Sequence, residues 1–217
     1  DGSPFSDSDI IIVATYVDDL ICLSSSRALL DAFKARIKED FKMTDMGAMR
    51  WCLGIEVIRD RVAGWIKLSQ AKYFRDVLTG YGLVPGACRT AATPAEAKTR
   101  FTVDSAPSTD KELRWSAAHL PEYRKLVGQL IYGMIGTRPD IAWAVSQCSR
   151  FFSGPSECHM IAAKRILRYV AGTIDKPLVF SRDHMRLQQV QRSRLNGHRR
   201  QRTAQRTATQ REEECRR

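Results

Sequence analysis

Ile10-Ile-Ile-Val-Ala-Thr-Tyr16-Val17-Asp18-Asp19-Leu20-Ile-Cys-Leu23 is the stretch on which the fold turns. Ile10 to Tyr16 carries no charge and is mostly β-branched, so it reads as a buried strand. Leu20 to Leu23 is apolar again. Val17, Asp18 and Asp19 interrupt the two runs, which makes the stretch a hairpin with its carboxylates at the turn. Aspartate is an ordinary turn residue, so the turn alone is compatible with solvated decoration. The apolar runs on either side favour a chemical role, because they anchor the strands while presenting the acids.

Adjacent carboxylates at a tight turn suit divalent-cation chemistry. Mg²⁺ takes carboxylate and phosphate oxygens and keeps some of its waters. Phosphoryl transfer by polymerases uses two such ions, one activating the attacking hydroxyl and both stabilising charge on the in-line displacement. In a regular strand Asp18 and Asp19 would point to opposite faces, and only the turn lets both approach one site. Asp18 is the first choice of direct ligand, with Asp19 peripheral.

Working outward, Ser24 to Ser26 offers an N-cap. Leu29, Leu30, Phe33, Ile37 and Phe41 follow at helical spacing. Trp51 to Ile58 reads as a strand with Trp65 to Leu68 as its partner, and Gly64 ends the polar turn between them. Ser69 caps a helix bearing Tyr73, Phe74, Val77 and Leu78, which Gly80 and Gly82 stop. Residues 85 to 121, punctuated by Pro85, Pro94, Pro107 and Pro121, read as a long connection, poorly ordered around 95 to 118. Three helices follow. The first carries Tyr123, Val127, Leu130, Ile131 and Met134. The second carries Ile141, Val145, Cys148 and Phe152, restarted by Thr137-Arg138-Pro139-Asp140. The third runs from a Ser156 cap to Gly172, with His159, Ala162, Ala163, Ile166, Leu167 and Val170 on one face.

The net charge of +11 divides unevenly. Residues 183 to 217 hold ten Arg and four acids but no Lys, Ile, Phe, Tyr or Trp, a composition that cannot bury a core. This tail is expected to be disordered. An Arg-rich arm suits nucleic acid. Exclusive use of Arg, after a body that mixes Arg and Lys, suits an out-of-frame extension. The six cysteines (Cys22, Cys52, Cys88, Cys148, Cys158 and Cys215) form no CxxC pair and lie at no zinc-ligand spacing. They read as reduced, mostly buried thiols of an intracellular protein. No run approaches membrane-span length, and no signal peptide is visible. The Asp-Gly start suggests a piece of something longer.

Apolar-Tyr-x-Asp-Asp-apolar resembles the central palm hairpin of reverse transcriptases. Several later segments resemble the copia-type retrotransposon branch in particular. They are Phe41-Lys-Met-Thr-Asp-Met-Gly47, Leu53-Gly-Ile-Glu-Val57, Leu68-Ser-Gln-Ala-Lys-Tyr73, Tyr123-Arg-Lys-Leu-Val-Gly128, Thr137-Arg-Pro-Asp-Ile141 and Arg165-Ile-Leu-Arg-Tyr169, in the family's order from about Ile10 to Phe180. The resemblance implies that Asp18 and Asp19 are catalytic palm ligands of Mg²⁺. It sets Tyr16 and Val17 near the primer terminus and incoming nucleotide. It makes the hairpin around Trp51 to Val57, with Leu53 and Gly54, a primer grip; a tryptophan that simply packs explains Trp51 as well. Lys164, Arg165 and Arg168 share a polar face that could track phosphates, or could simply be solvated.

The family's palm needs a third carboxylate on an earlier strand. Only Asp1, Asp7 and Asp9 precede the tetrad, in a polar leader without the family's motif. The fingers, and the ribonuclease H site beyond Asp183, are also missing from the pattern. The expected fold is α+β. A partial palm of antiparallel hairpins with a packed helix spans 1–84, a flexible linker 85–121, a helical thumb-like subdomain 122–182, and a disordered basic tail 183–217. The implied function is RNA-directed DNA polymerisation on an RNA/DNA primer–template duplex, together with the rest of a Pol polyprotein (fingers, integrase and ribonuclease H). The chain alone is expected not to polymerise, and exposed strand edges are expected to favour aggregation or partner dependence. A noncatalytic nucleic-acid-binding remnant and a decayed element without selected function are the alternatives.

Overall fold

In a computed structural model of the chain, residues 9–96 and 100–182 are described. The expected tail, Asp1, Asp7 and Cys215 lie outside them. The protein mixes helices with two small antiparallel sheets, and it divides into two compact units after Met49.

The first unit is the tetrad hairpin and one helix. Strand β1 (Ile11–Tyr16) pairs with β2 (Asp19–Ser24) in register from Ile11 opposite Ser24 to Tyr16 opposite Asp19. Helix α1 (Arg27–Asp40) starts at Ser26, whose side chain accepts the Leu29 N–H. One face of the hairpin carries Ile11, Leu20 and Cys22, half-buried, and α1 lies against β2. The opposite face carries Ile12, Ala14, Tyr16, Asp19 and Leu23, which are exposed, and Ile21, which is half-buried. The expectation of a buried β1 fails for this reason. A two-stranded sheet has two faces and one helix covers only one, leaving Ile12 59% and Leu23 53% exposed.

Among the described residues the second unit holds a four-stranded sheet and four α-helices. The expected strand from Trp51 to Ile58 is two strands, β3 (Trp51–Cys52) and β4 (Ile55–Asp60), with Leu53-Gly54 as the turn between them. Both turn residues have positive φ (+49° and +76°), the pattern of a type I′ hairpin turn, and a bend of that kind ends a strand. Strand β5 (Trp65–Ser69) pairs with β4, and β6 (Leu178–Ser181) closes the order β3-β4-β5-β6.

Helix α2 (Ala71–Gly80) packs Phe74, Val77 and Leu78 into the core formed by α3 (Asp110–Gly136), α4 (Ala142–Ser149) and α5 (Glu157–Ala171). Tyr123, Leu126, Val127, Leu130, Val145, Ile166 and Leu167 are all fully buried there. The hairpin that follows the tetrad in sequence and the late helices therefore share one unit.

The expected connection over 85–121 ends early, because α3 begins at Asp110. Thr109 and Glu112 form a reciprocal capping box, and the Ser108 and Thr109 backbone N–H groups hold the Glu112 carboxyl down at about 2. Pro121 sits inside the helix. It is exposed, as is Ala117, whose carbonyl loses its partner where water can replace it.

Around 95 to 108 the described residues are fastened to the helices rather than loose. Glu96 pairs with Arg165 at 2.8 Å. Phe101 meets Phe151 and His159 edge-on, and the Ser105 carbonyl accepts from Ser156 Oγ at 2.7 Å. Among the described cysteines, only Cys148 is buried and Cys158 is exposed, which corrects the expectation of mostly buried thiols. Among the described residues no helix is long and apolar enough to cross a membrane.

Candidate nucleic-acid and metal site

The tetrad occupies a two-residue turn closed by Tyr16 opposite Asp19. Val17 takes φ +50° at the first central position. A β-branched side chain is a poor occupant of that region, and glycine is the usual choice. The turn is therefore strained where the sequence places its chemistry. Val17 is 82% exposed and Tyr16 56%, and both aspartates are exposed. Tyr16 and Asp19 are cross-strand partners and share a face of the hairpin, as the register requires, while Asp18 occupies the tip.

Asp18 and Asp19 have no ion-pair or hydrogen-bond partner among the described residues, so their charge is free to meet a cation. No group of three metal-ligating side chains occurs among the described residues. Asp9 is the one described acid ahead of the tetrad. It stands at the open end of the hairpin, where it accepts from Ser25 Oγ at 3.5 Å. The six residues of β1 separate it from the turn, on the order of 20 Å at about 3.3 Å per residue. The donor set fits part of a two-metal site and leaves its remainder to be supplied.

The second candidate element is the Leu53-Gly54 turn. Trp51 is 53% exposed and Leu53 45%. Lys72 Nζ lies 6.0 Å from the Trp51 ring centroid, so a cation and an aromatic face sit together beside the turn. Tyr132 of α3 donates its hydroxyl to the Leu53 carbonyl. Sequence reasoning missed Tyr132, which looks there like one more residue of the α3 stripe. Its 40% exposure sets it apart from the fully buried Leu130.

The third candidate group is largely paired within the chain. Lys164 binds Glu122 at 3.3 Å. Arg165 binds Glu96 and also donates to Thr93 Oγ1. Arg168 is half-buried. These cations are brought together on α5, but two of the three already have carboxylate partners.

Sequence reasoning also missed the role of Thr137-Arg138-Pro139-Asp140. Arg138 is only 4% exposed. It grips Asp140 with two hydrogen bonds, at 2.9 and 2.8 Å, and donates to Thr173 Oγ1 at 2.6 Å. The Tyr169 hydroxyl donates to the same aspartate at 2.9 Å. Burial pushes the Asp140 carboxyl up, but the Arg138 and Tyr169 hydrogen bonds outweigh it and hold the group below its usual range. The cluster ties the end of α3 and the start of α4 to the end of α5.

A family model described as reverse transcriptase (RNA-dependent DNA polymerase) matches residues 4–97, which include both turns. The chain is 35% identical over 176 residues to the retrovirus-related Pol polyprotein from transposon TNT 1-94 of Nicotiana tabacum, covering 81% of this chain and 13% of that one. It is 35% identical over 167 residues to the Pol polyprotein from transposon RE1 of Arabidopsis thaliana, covering 76% of this chain and 10% of that one. An uncharacterized mitochondrial protein of Arabidopsis thaliana is 33% identical over 159 residues, 73% of this chain and 60% of its own length. The chain thus spans about a tenth of the two Pol polyproteins. No solved structure matches it.

The two-residue turn with its paired aspartates lies inside the segment that the reverse transcriptase model matches. That match and the Pol polyprotein relatives together support a copia-type retrotransposon reverse transcriptase fragment.

Proposed function

We propose that this chain supplies the metal-binding palm hairpin, the primer-grip hairpin and the thumb helices of a copia-type RNA-directed DNA polymerase. The observation that carries the proposal is the tetrad turn. Its positive φ at Val17 sets Asp18 and Asp19 at the exposed tip of a paired strand, with no cation paired to them among the described residues. In this role Asp18 and Asp19 hold Mg²⁺, which activates the primer hydroxyl and stabilises the charge of phosphoryl transfer. Tyr16 and Val17 adjoin the primer terminus and the incoming nucleotide. Trp51, Leu53 and Gly54 position the primer strand, and the helices from α3 to α5 serve as the thumb. The partners are an RNA/DNA primer–template duplex and the remaining parts of a Pol polyprotein.

Among the described residues two carboxylates stand where the chemistry needs three, and Asp9 is a hairpin's length away, so in this reading the chain by itself is expected not to polymerise. The test combines primer extension with metal binding. The purified chain, given duplex, nucleotides and Mg²⁺, is expected to incorporate nothing. Mn²⁺ titration is expected to broaden the NMR signals of residues 16 to 19, and Asp18→Ala to abolish that broadening. Incorporation that Asp18→Ala removes refutes the inactivity. Absence of local broadening refutes the metal-ligand role.

A noncatalytic nucleic-acid-binding role is the second reading, resting on the cations of α5. Lys164, Arg165 and Arg168 are its candidates, weakened by the two ion pairs. It requires duplex binding that falls steeply with salt and weakens in Arg168→Ala. Binding that is insensitive to both removes it.

A further inference from the structure

The Leu53-Gly54 turn has little of its own to hold it. Strand β3 is two residues long and contributes two cross-strand pairs, Trp51 with Glu56 and Cys52 with Ile55. Both turn residues are left-handed, and for leucine that conformation is unfavourable. An external contact has to supply what the short ladder lacks.

Tyr132 makes that contact. Its hydroxyl donates to the Leu53 carbonyl across 79 residues of sequence. Gly54 lies against the same hydroxyl so closely that an added Cβ would stand 2.8 Å from it. The Tyr132 ring is itself fixed, edge-on to Tyr73 at 4.7 Å between centroids. The Tyr73 hydroxyl donates to the Gln129 carbonyl on α3 at 3.0 Å, and burial pushes its pKa up to about 12, so it stays a donor at neutral pH. A chain of contacts therefore runs from the turn through Tyr132 and Tyr73 to the α2–α3 pair. Leu53 and Trp51 remain half-exposed beyond it.

We infer that Tyr132 is a positioning residue: its phenol holds the Leu53-Gly54 turn in the shape that grips a nucleic-acid strand. This rests on the primer-grip reading of the turn. Gly54 is required because a side chain there would displace the hydroxyl. The chemistry needed at position 132 is a donor on a rigid ring, which phenylalanine lacks.

The experiment compares the wild-type chain with Tyr132→Phe. Three properties are measured: amide hydrogen exchange over residues 51–56, affinity for a short RNA/DNA primer–template duplex, and melting temperature. One lost hydrogen bond of ordinary net strength predicts exchange at Gly54 and Ile55 faster by roughly fivefold, with a similar loss of affinity. Exchange in α2 and α3 is expected to stay unchanged. Gly54→Ala should cost less affinity in the Tyr132→Phe background than in the wild type, because the clashing hydroxyl is gone. If the wild-type chain binds no duplex, the strand-gripping reading falls and this inference with it. If the wild type binds, but Tyr132→Phe leaves either turn exchange or affinity unchanged, this inference alone is overturned. Exchange that accelerates uniformly through α2 and α3 also overturns it, since that marks a merely structural role.

Discussion

Gly128 and Gly133 stand on the same helix, α3, and replacing each with alanine should change stability in opposite directions. Gly128 is exposed, and an added Cβ there meets nothing within 4 Å. Alanine at that position gains helix propensity, about 0.5–1 kcal/mol. Gly133 is buried, and its Cβ would fall 2.1 Å from Phe74 Cζ and 2.9 and 3.0 Å from the two Cε atoms. Carbon atoms in contact sit at about 3.5–4.0 Å, so the ring must retreat by roughly 1.5 Å. It has little room to do so. Phe74 is 2% exposed and is held edge-on by Tyr73 at 5.4 Å. Overpacking of this kind costs about 1–3 kcal/mol, and the propensity gain offsets up to ~1 kcal/mol of it. Gly133→Ala should therefore destabilise by a net ~1–2 kcal/mol, a fall in Tm of roughly 2–8 °C for a chain of this size. Gly128→Ala should raise Tm by a few degrees. Thermal and urea denaturation of both variants tests the pair, and Phe74→Leu should be better tolerated in the Gly133→Ala background than in the wild type. The packing account is refuted if Gly133→Ala stabilises the protein as Gly128→Ala does. The consequence extends to the candidate site, because Gly133 adjoins Tyr132 in sequence and Phe74 adjoins Tyr73.

Arg138→Ala removes a buried guanidinium from a carboxylate that is itself 40% exposed, so solvent screens part of the loss and the cost in urea denaturation should be about 1–3 kcal/mol; a change below ~1 kcal/mol would mean the pair behaves like a surface salt bridge. His159 is fully buried between Phe101 and Phe151, and burial lowers its pKa from 6.5 to about 4. Because the folded value lies below the unfolded one, the stability held by the neutral ring is full above pH 6.5 and is lost as pH falls from 6.5 toward about 4. Melting curves across that range should show the decline, and His159→Phe should flatten it; an equally steep decline in the variant assigns the effect elsewhere. Val17→Gly should relieve about 1 kcal/mol of turn strain and slow amide exchange in β1 and β2. Faster exchange in that variant would show that the valine, not the turn, holds the hairpin.

Much of the first unit was legible because its signals are local. The paired apolar runs around Asp18 and Asp19 marked a hairpin, although β2 begins at Asp19 and leaves only Val17 and Asp18 in the turn, and Ser26 caps α1 as its neighbourhood suggested. Burial of β1 was not legible, since a run such as Ile10 to Tyr16 says that a strand wants covering and not whether anything covers it. The start of α3 was written in the sequence as Thr109-x-x-Glu112, but Pro121 drew the boundary toward itself. Proline in a helix is costly only to the carbonyl four residues before it, and here that carbonyl belongs to an exposed alanine. Strand β6 and the fastening of residues 90–108 along α5 depend on partners far away in sequence, such as Ser105 with Ser156, and no local pattern encodes them. Among the candidate site residues, Asp18, Asp19 and the Leu53-Gly54 turn could be found by motif. Tyr132 could not, because what distinguishes it is a carbonyl 79 residues away.

Strain gives the two candidate turns a common logic. Among the described residues, Val17 and Leu53 are the non-glycine residues with positive φ, and each stands in a two-residue hairpin turn. Asn-Gly or Gly-led turns would make the same bends without cost. Strain persists only where surrounding structure over-determines the conformation. For Leu53 that structure is visible, in Tyr132 and the helices behind it. For Val17 the visible support is a single antiparallel pair with one open apolar face, bearing Ile12, Tyr16 and Leu23. A β-branched residue in the left-handed region is thus held by one strand pair with α1 against one of its faces. Strain at the tetrad turn is therefore held with less visible support than strain at Leu53, which makes Val17→Gly the more direct probe of what strain contributes to a turn of this kind.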